Sequence, residues 1–213
     1  MPQPLSKVAP KAQISIGNPA GTKPALMMMA MEALATWSYI DYLMLRIYVE
    51  LSGGYSSDAT AAFLALETAG AKSGVIRTLA NRNLQKEYLP AFNAVLAVLK
   101  SGEKERHKLA HWVWATSPSV SDGAILFDPR NITGDPKKML VYRMQDFVRI
   151  RQRFDQISGY CGRLTFIVIP HPANTETHEK LCAEPEIADK LNRQAQPKLF
   201  PPQEWPEWLQ VEK

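Results

Sequence analysis

The amino-acid sequence predicts a mainly α-helical fold, a helical bundle with a small β-hairpin inserted near residues 122–142. Three observations lead to this prediction. Apolar residues recur at spacings of three and four over residues 25–51 and 147–168, as they do on one face of a helix. Two short runs of β-forming residues, separated by turn residues, lie between those stretches. Prolines are frequent at both ends of the chain, where no helical period is visible.

Composition sets limits on the class of protein. With 213 residues, of which 46% are hydrophobic and 22% are charged, the chain is long enough to bury a core. The net charge of +4 permits a nucleic-acid partner but does not require one. Cys161 and Cys182 have neither metal-binding nor redox spacing, so we expect reduced thiols in a cytoplasmic protein. Charged residues such as Glu32 and Arg46 interrupt the most apolar stretch, so no membrane span or membrane partner is expected.

The same patterns predict three regions. Residues 1–24 contain five prolines and are expected to be an extended or disordered N-terminal segment. Residues 25–170 are expected to form the helical bundle domain. Residues 171–213 are expected to be a weakly structured, Pro-rich C-terminal extension with a weak helix near 175–195.

The bundle is expected to contain five helices, each a stretch of helical spacing between turn residues. Ser101-Gly102 is expected to separate the third from the fourth, and Thr116-Ser-Pro118 to end the fourth. The expected helices cover about 25–51, 57–84, 86–100, 103–116 and 145–169.

The hairpin and the last helix are predicted from two different patterns in the sequence. Ala124–Phe127 and Met139–Tyr142 are β-prone and are separated by Pro- and Gly-containing turns, which predicts an antiparallel pair. The last helix has a coiled-coil type of seam that packs either on the bundle or on a second chain, and both remain open. The seam residues are Phe147, Ile150, Phe154, Ile157, Cys161, Leu164 and Val168.

Asp41 stands out in the first helix. Helical projection places this carboxylate on the apolar face with Trp37 and Met44. Losing the partner of a buried charge costs roughly 3–5 kcal/mol, so Asp41 is expected to have a partner. It is either a structural or interface pair or a supporting residue that orients a catalytic base or arginine.

Residues 103–114 contain the densest group of chemically versatile side chains. One interpretation is a core helix, with His111 a satisfied buried imidazole and Arg106 a surface cation. A second is a metal site, because Glu103, His107 and His111 follow one another at intervals of four residues. Lys108 and the lack of a nearby third histidine weigh against the metal.

A third interpretation is acid–base chemistry on RNA. Metal-independent cleavage of a phosphodiester needs an imidazole to move the proton and a fixed cation to stabilise the phosphorane. His111 and Arg106 supply these two groups. On a helix they lie about 140° apart in projection, so the arginine would have to curl toward the imidazole, or a neighbouring chain would have to complete the site.

The stretch Arg106-His107-Lys108-Leu109-Ala110-His111 resembles the signature of the HEPN superfamily, in which an arginine, a polar residue and three further residues precede a histidine. The resemblance implies an α-helical bundle and a metal-independent endoribonuclease without a cofactor, of the kind found in toxin–antitoxin, anti-phage and RNA-processing systems. It assigns phosphate stabilisation to Arg106, a companion role to His107 and proton transfer to His111. It also implies a homodimer in which two motifs face one cleft.

Other residues are candidates for binding the RNA. Arg143, Arg149 and Arg153 belong to a basic cluster that is either a phosphate-binding face or the solvated side of the last helix. Trp112 is a candidate for stacking on a base, although core packing is the more common role of such residues. The alternatives to an enzyme are a non-catalytic dimerisation or nucleotide- or partner-binding module and a metal-binding helical protein.

Overall fold

The computed structural model describes residues 1–54, 56–169 and 174–195. The prediction of a mainly α-helical fold with a small β element is confirmed. The α-helices of the described residues are α1 (Leu5–Val8), α2 (Pro24–Leu51), α3 (Ser57–Leu64), α4 (Ala69–Asn83), α5 (Leu89–His111), α6 (Met144–Val168), α7 (Asn174–Cys182) and α8 (Pro185–Ala195). The strands are β1 (Gln3–Pro4), β2 (Ser15–Ile16), β3 (Val113–Thr116), β4 (Gly123–Phe127) and β5 (Met139–Arg143).

The five strands form one antiparallel sheet in the order β1-β5-β4-β3-β2. Its centre is the expected hairpin, in which Ala124 of β4 lies opposite Tyr142 of β5. The sheet is larger than predicted because β3 pairs with the other side of β4. β3 occupies residues that the sequence assigned to the end of a helix. Its residues Val113 and Trp114 are of the β-branched and aromatic types that favour strands.

The N-terminal segment is part of this sheet, whereas the sequence predicted an extended or disordered stretch. β1 pairs with β5 and β2 pairs with β3, so residues 1–24 add a strand at each edge. Between these strands, α1 buries Leu5 in a small core with Val120 and Ile125. Proline is acceptable in an edge strand such as β1, because one side of that strand needs no ladder hydrogen bond.

Two helices, α3 and α4, replace the single helix expected over residues 57–84. The break lies between Leu64 and Ala69. Thr68 caps the second helix by accepting a hydrogen bond from the Ala71 N–H at 3.1 Å. The resulting bend turns the start of α4 toward α5, where Ala69 and Lys72 become one wall of a cleft.

The helix α5 runs unbroken through Ser101-Gly102, where the sequence predicted an interruption. A side chain on Gly102 would place its Cβ 2.6 Å from Ile157 Cδ1 and 2.8 Å from Trp37 Cζ3. Gly102 is therefore a packing residue that lets α5 approach α2 and α6 closely. The Ser101 hydroxyl donates to the Val98 carbonyl at 2.6 Å, so it is satisfied within the helix.

The seam of α6 is internal to the fold. Phe147, Phe154 and Leu164 are fully buried, and the Phe154 ring meets Trp37 of α2 edge-on at 4.9 Å between centroids. The weak helix expected near 175–195 is instead the pair α7 and α8. These two helices pack on α5 and α6 and bury Leu181 and Ile187.

Residues 171–173 and 196–213 of the expected C-terminal extension lie outside the described residues, and His171, Trp205 and Trp208 are among them. No helix within residues 1–54, 56–169 and 174–195 combines the length and the apolar character that crossing a membrane would require.

Gly102→Ala is expected to destabilise the protein by about 1–3 kcal/mol, because the new methyl group would overpack the junction with the Trp37 ring. This loss should exceed the gain of up to about 1 kcal/mol in helix propensity. Chemical denaturation measures the free energy of unfolding.

The matched control is Gly159→Ala in α6, where an added Cβ has no neighbour within 4 Å. That variant should be stabilised by roughly 0.5–1 kcal/mol. Equal stabilisation by both substitutions would show that the contact at Gly102 is not close.

Candidate functional site

A cleft of about 690 Å³ lies between α5 and the elements on either side of it. Trp37 and Asp41 of α2 contribute to it, and so does the loop that follows β4. It continues into a recess of about 40 Å³ below Asp41 and Glu103. The lining residues of the cleft are Trp37, Asp41, Glu67, Ala69, Lys72, Lys100, Glu103, Lys104, Arg106, His107, Lys108, His111, Trp112, Asp128 and Arg130.

Arg106 and His111 meet at this cleft. The Arg106 Nη1 atom lies 3.2 Å from the Nε2 atom of His111. Arginine has donors only, so this hydrogen bond requires an unprotonated Nε2 that accepts. The arginine thus curls toward the imidazole within one chain, which helical projection alone did not decide. The imidazole is exposed and is not buried in the core.

The last turn of α5 is fixed by the start of the sheet. The Trp112 N–H donates to the Lys108 carbonyl at 3.0 Å, and the Trp114 indole N–H donates to the Leu109 carbonyl at 3.3 Å. The Trp114 ring in turn stacks on Phe147 of α6 at 5.9 Å. The carbonyl groups that a helix leaves without partners at its C-terminus are thereby partly satisfied, and His111 is held at a defined position.

A second set of contacts connects the sheet to the cleft through Glu105. The buried Tyr142 hydroxyl donates to Glu105 Oε2 at 3.3 Å, and Lys108 Nζ donates to Oε1 at 2.6 Å. Burial, followed by the charge of Glu105, raises the pKa of Tyr142, so the phenol stays protonated and donates. The Lys108 ammonium also lies 5.6 Å from the centre of the Trp112 ring.

Asp41 and Glu103 form a desolvated acidic pair next to Arg106. Asp41 is exposed at the cleft and is not enclosed in the apolar face, where helical projection had placed it. The walls of the cleft nevertheless desolvate both carboxyl groups and raise the pKa of each. Asp41 raises the pKa of Glu103 further, whereas Arg106 opposes the shift at both residues. The structure therefore brings Asp41 to the site as a neighbour of Arg106.

The three residues of the metal alternative do not form a metal-binding group. His107 and His111 lie close, with ring centroids 5.0 Å apart, but His111 Nε2 faces the guanidinium of Arg106. Within the described parts of the chain, no three His, Cys, Asp or Glu side chains come together in an arrangement that could hold a metal ion.

The arginines expected to bind substrate lie away from the cleft and are engaged in salt bridges. Arg143 pairs with Asp122 at 2.7 Å, and Arg149 pairs with Asp146 at 3.8 Å. Arg153 makes a two-pronged salt bridge to Glu186, which attaches α6 to α8. None of the three lines the cleft, whereas Trp112 does.

Apart from Arg106 and Lys108, the cations that line the cleft were missed in the sequence. Lys100 and Lys104 are one turn apart on α5, a spacing that could have revealed a row on the face that also carries His107 and His111. Lys72 and Arg130 come from α4 and from the loop after β4, and no sequence pattern connects them with α5. In all, six lysines and arginines line the cleft together with four aspartates and glutamates.

Comparisons with protein-family models, with curated proteins and with solved structures found no match for this chain. The residues of the cleft provide a proton acceptor, an adjacent fixed cation and further cations for a polyanion.

Glu103→Gln is expected to raise the free energy of unfolding at neutral pH, because it removes a desolvated negative charge. The folded-state pKa of Glu103 lies above its ordinary value of 4.5. The carboxyl group therefore contributes stability that is fully present below the unfolded pKa and is lost as the pH rises through the folded pKa. Urea unfolding across this pH range should show the advantage of the variant fading in acid.

The matched control is Glu87→Gln, at an exposed position just before α5. Its stability should follow that of the parent at every pH. A Glu103→Gln protein less stable than the parent at neutral pH would contradict desolvation as the dominant effect.

Proposed function

We propose that the protein is a HEPN-like, metal-independent endoribonuclease whose catalytic residues are Arg106 and His111. The observation that carries the proposal is the 3.2 Å contact between Arg106 Nη1 and His111 Nε2 at the edge of an open cleft. A proton acceptor next to a permanent cation is the pair that cleavage of a phosphodiester requires.

The reaction is an attack by the ribose on its own phosphate. The His111 Nε2 atom removes the proton of the 2′-hydroxyl, and the 2′-oxygen forms a bond to phosphorus. Arg106 releases Nε2 and donates to the oxygens of the phosphorane, whose negative charge it stabilises. The bond from phosphorus to the 5′-oxygen then breaks, and the proton passes to that leaving oxygen. The products are a 2′,3′-cyclic phosphate and a 5′-hydroxyl.

The charges around the pair support a phosphate substrate. Among the described residues, every arginine of α6 is in a salt bridge, whereas Arg106 is in none. An arginine without a carboxylate partner is available to a phosphate. Asp41 and His107 serve as supporting residues: Asp41 attracts the guanidinium from α2, and the tilted His107 ring lies beside the reacting imidazole, 5.0 Å away between centroids.

The parent protein is expected to cleave single-stranded RNA in excess EDTA, and His111→Ala and Arg106→Ala should each lower the rate by roughly 10²–10⁴-fold. Product analysis by gel electrophoresis and by mass spectrometry of the fragment ends measures both the rate and the chemistry.

The matched controls are His178→Ala in α7 and Arg193→Ala in α8, neither of which lines the cleft. Both should retain the parent rate. Cleavage that survives His111→Ala, or that EDTA abolishes, would overturn the assignment.

We further propose that a second copy of the chain docks on an exposed stripe of α2. The stripe is made of Met28, Met31, Ala35, Tyr39 and Tyr42, all exposed. It is self-complementary, because the methionines and the tyrosines lie at equal distances on either side of Ala35. In an antiparallel, two-fold pairing, the methionines of each copy would meet the tyrosines of the other. The same observation favours the alternative of a non-catalytic dimerisation module.

Ala35→Glu is expected to convert a dimer into a monomer, because two carboxylates would face each other at the two-fold axis. Light scattering during size-exclusion chromatography measures the mass. The matched control, Ala62→Glu on the exposed side of α3, should stay dimeric. A parent protein that is monomeric at high concentration would refute the docking surface.

A further inference from the structure

We propose that Trp112 and Arg130 form a nucleobase-binding subsite at one end of the cleft, while Lys100 and Lys104 hold the phosphates at the other end. The proposal rests on the proposed RNA substrate and defines it as a single strand with one base unstacked. It divides the cleft into a part that reads the base and a part that binds the backbone.

The cleft runs along α5 and its two ends differ. From Lys100 to Trp112 the chain rises about 18 Å along the helix axis, with Arg106 and His111 between them. Beyond His111, the sheet begins with Val113 opposite Phe127. This register brings Trp112 next to the loop that contains Asp128 and Arg130. The planar side chains of Trp112 and Arg130 thus lie at the end of the cleft near the sheet, and the flexible ammonium groups of Lys100 and Lys104 lie at the other end.

The planar guanidinium of Arg130 is held in a fixed orientation. Asp128 Oδ1 accepts from Arg130 Nε at 2.9 Å and from the Arg130 backbone N–H at 2.9 Å, and Asp128 Oδ2 accepts from Nη2 at 2.5 Å. These bonds occupy one edge of the guanidinium and compensate its charge, while the side chain stays 88% exposed. A neutralised, oriented guanidinium suits stacking on a base better than attraction of a phosphate.

Trp112 supplies a second planar surface. The Lys108 ammonium lies over its ring, and the side chain packs against the main hydrophobic core. The indole also lines the cleft. A ring that is held by packing and reaches the cleft is a stacking platform for a base, which would take the place of the Lys108 ammonium over the ring.

Lys100 and Lys104, unlike Arg130, have no carboxylate at salt-bridge distance among the described residues. Both are exposed, and within the described residues neither forms a salt bridge, in contrast to Lys108, which pairs with Glu105 at 2.6 Å. Their positions one turn apart give a rise of about 6 Å, which suits successive phosphates of an extended strand. These two ammonium groups are free to follow the backbone of any sequence.

The size of the cleft suits a single strand. Its volume of about 690 Å³ lies in the range of pockets that enclose small molecules. Such a space encloses a few nucleotides of one strand and is too small to enclose a base-paired duplex. Stacking on Trp112 and Arg130 also needs a base that is free of its pairing partner.

The test is binding of short, fluorescently labelled 2′-O-methyl RNA homopolymers, measured by anisotropy over a series of salt concentrations. These oligonucleotides lack the attacking hydroxyl, so binding is measured without cleavage. Lys100→Ala and Lys104→Ala should each reduce the slope of log affinity against log salt by about 0.7, equally for all four homopolymers. Arg130→Ala should leave the slope unchanged and weaken binding by roughly 5- to 100-fold, by different factors for different bases.

The matched controls are Lys86→Ala and Arg193→Ala, which change an exposed lysine and a carboxylate-paired arginine outside the cleft. Both should bind as the parent does. If Arg130→Ala reduced the slope and weakened binding to all homopolymers equally, Arg130 would be a phosphate contact. This result would overturn the base subsite. Lysine variants with an unchanged slope, or a parent that binds no single strand at low salt, would also overturn it.

The two proposals fail in distinguishable ways. Base-dependent binding that Arg130→Ala removes, in a protein that cleaves no RNA, would support the subsite and contradict the enzyme. Cleavage that depends on His111 but is insensitive to Arg130→Ala and to the base would support the enzyme and contradict the subsite.

Discussion

The close approach of α5 to α2 and α6 at Gly102 is the constraint on which the candidate site depends. The absent side chain leaves room for the Trp37 ring and the Ile157 methyl group against the helix backbone. One turn later along α5, Arg106 comes within electrostatic reach of Asp41 on α2. A larger residue at position 102 would separate the helices, and with them the carboxylate and the guanidinium. The glycine therefore connects the packing of the bundle with the charge arrangement in the cleft.

The charges at the cleft differ from those on α6. Each arginine of α6 lies within salt-bridge distance of a carboxylate, and Arg151 and Arg153 thereby connect α6 with α2 and α8. At the cleft, Asp41 and Glu103 are desolvated and their pKa is raised, while Arg106 contacts an imidazole and no carboxylate at salt-bridge distance among the described residues. Such an arrangement costs stability, and it leaves a cation and a proton acceptor available to a ligand. Perturbed groups of this kind are typical of functional sites.

Local patterns in the sequence predicted those helices and strands that are determined by residues close together in the chain. The α6 seam and the central hairpin follow from spacing and turn residues alone, and both are confirmed. The break expected at Ser101-Gly102 was wrong because the role of this glycine is decided by Trp37 and Ile157, which are distant in sequence. The same limit applies to the site. Arg106 and His111 could be paired from their motif, but Arg130 reaches the cleft only through the pairing of β3 with β4.

Nitrogen-15 NMR of the His111 ring, in the parent and in Arg106→Ala, tests most directly whether Arg106 and His111 form the proposed pair. In the neutral ring, Nε2 is expected to be the unprotonated nitrogen and Nδ1 to carry the hydrogen. The Nε2 resonance should shift when Arg106 is replaced, and also when inorganic phosphate draws the guanidinium away. A proton on Nε2 in the neutral ring, or a resonance that is unaffected by Arg106→Ala, would contradict the proposed pair.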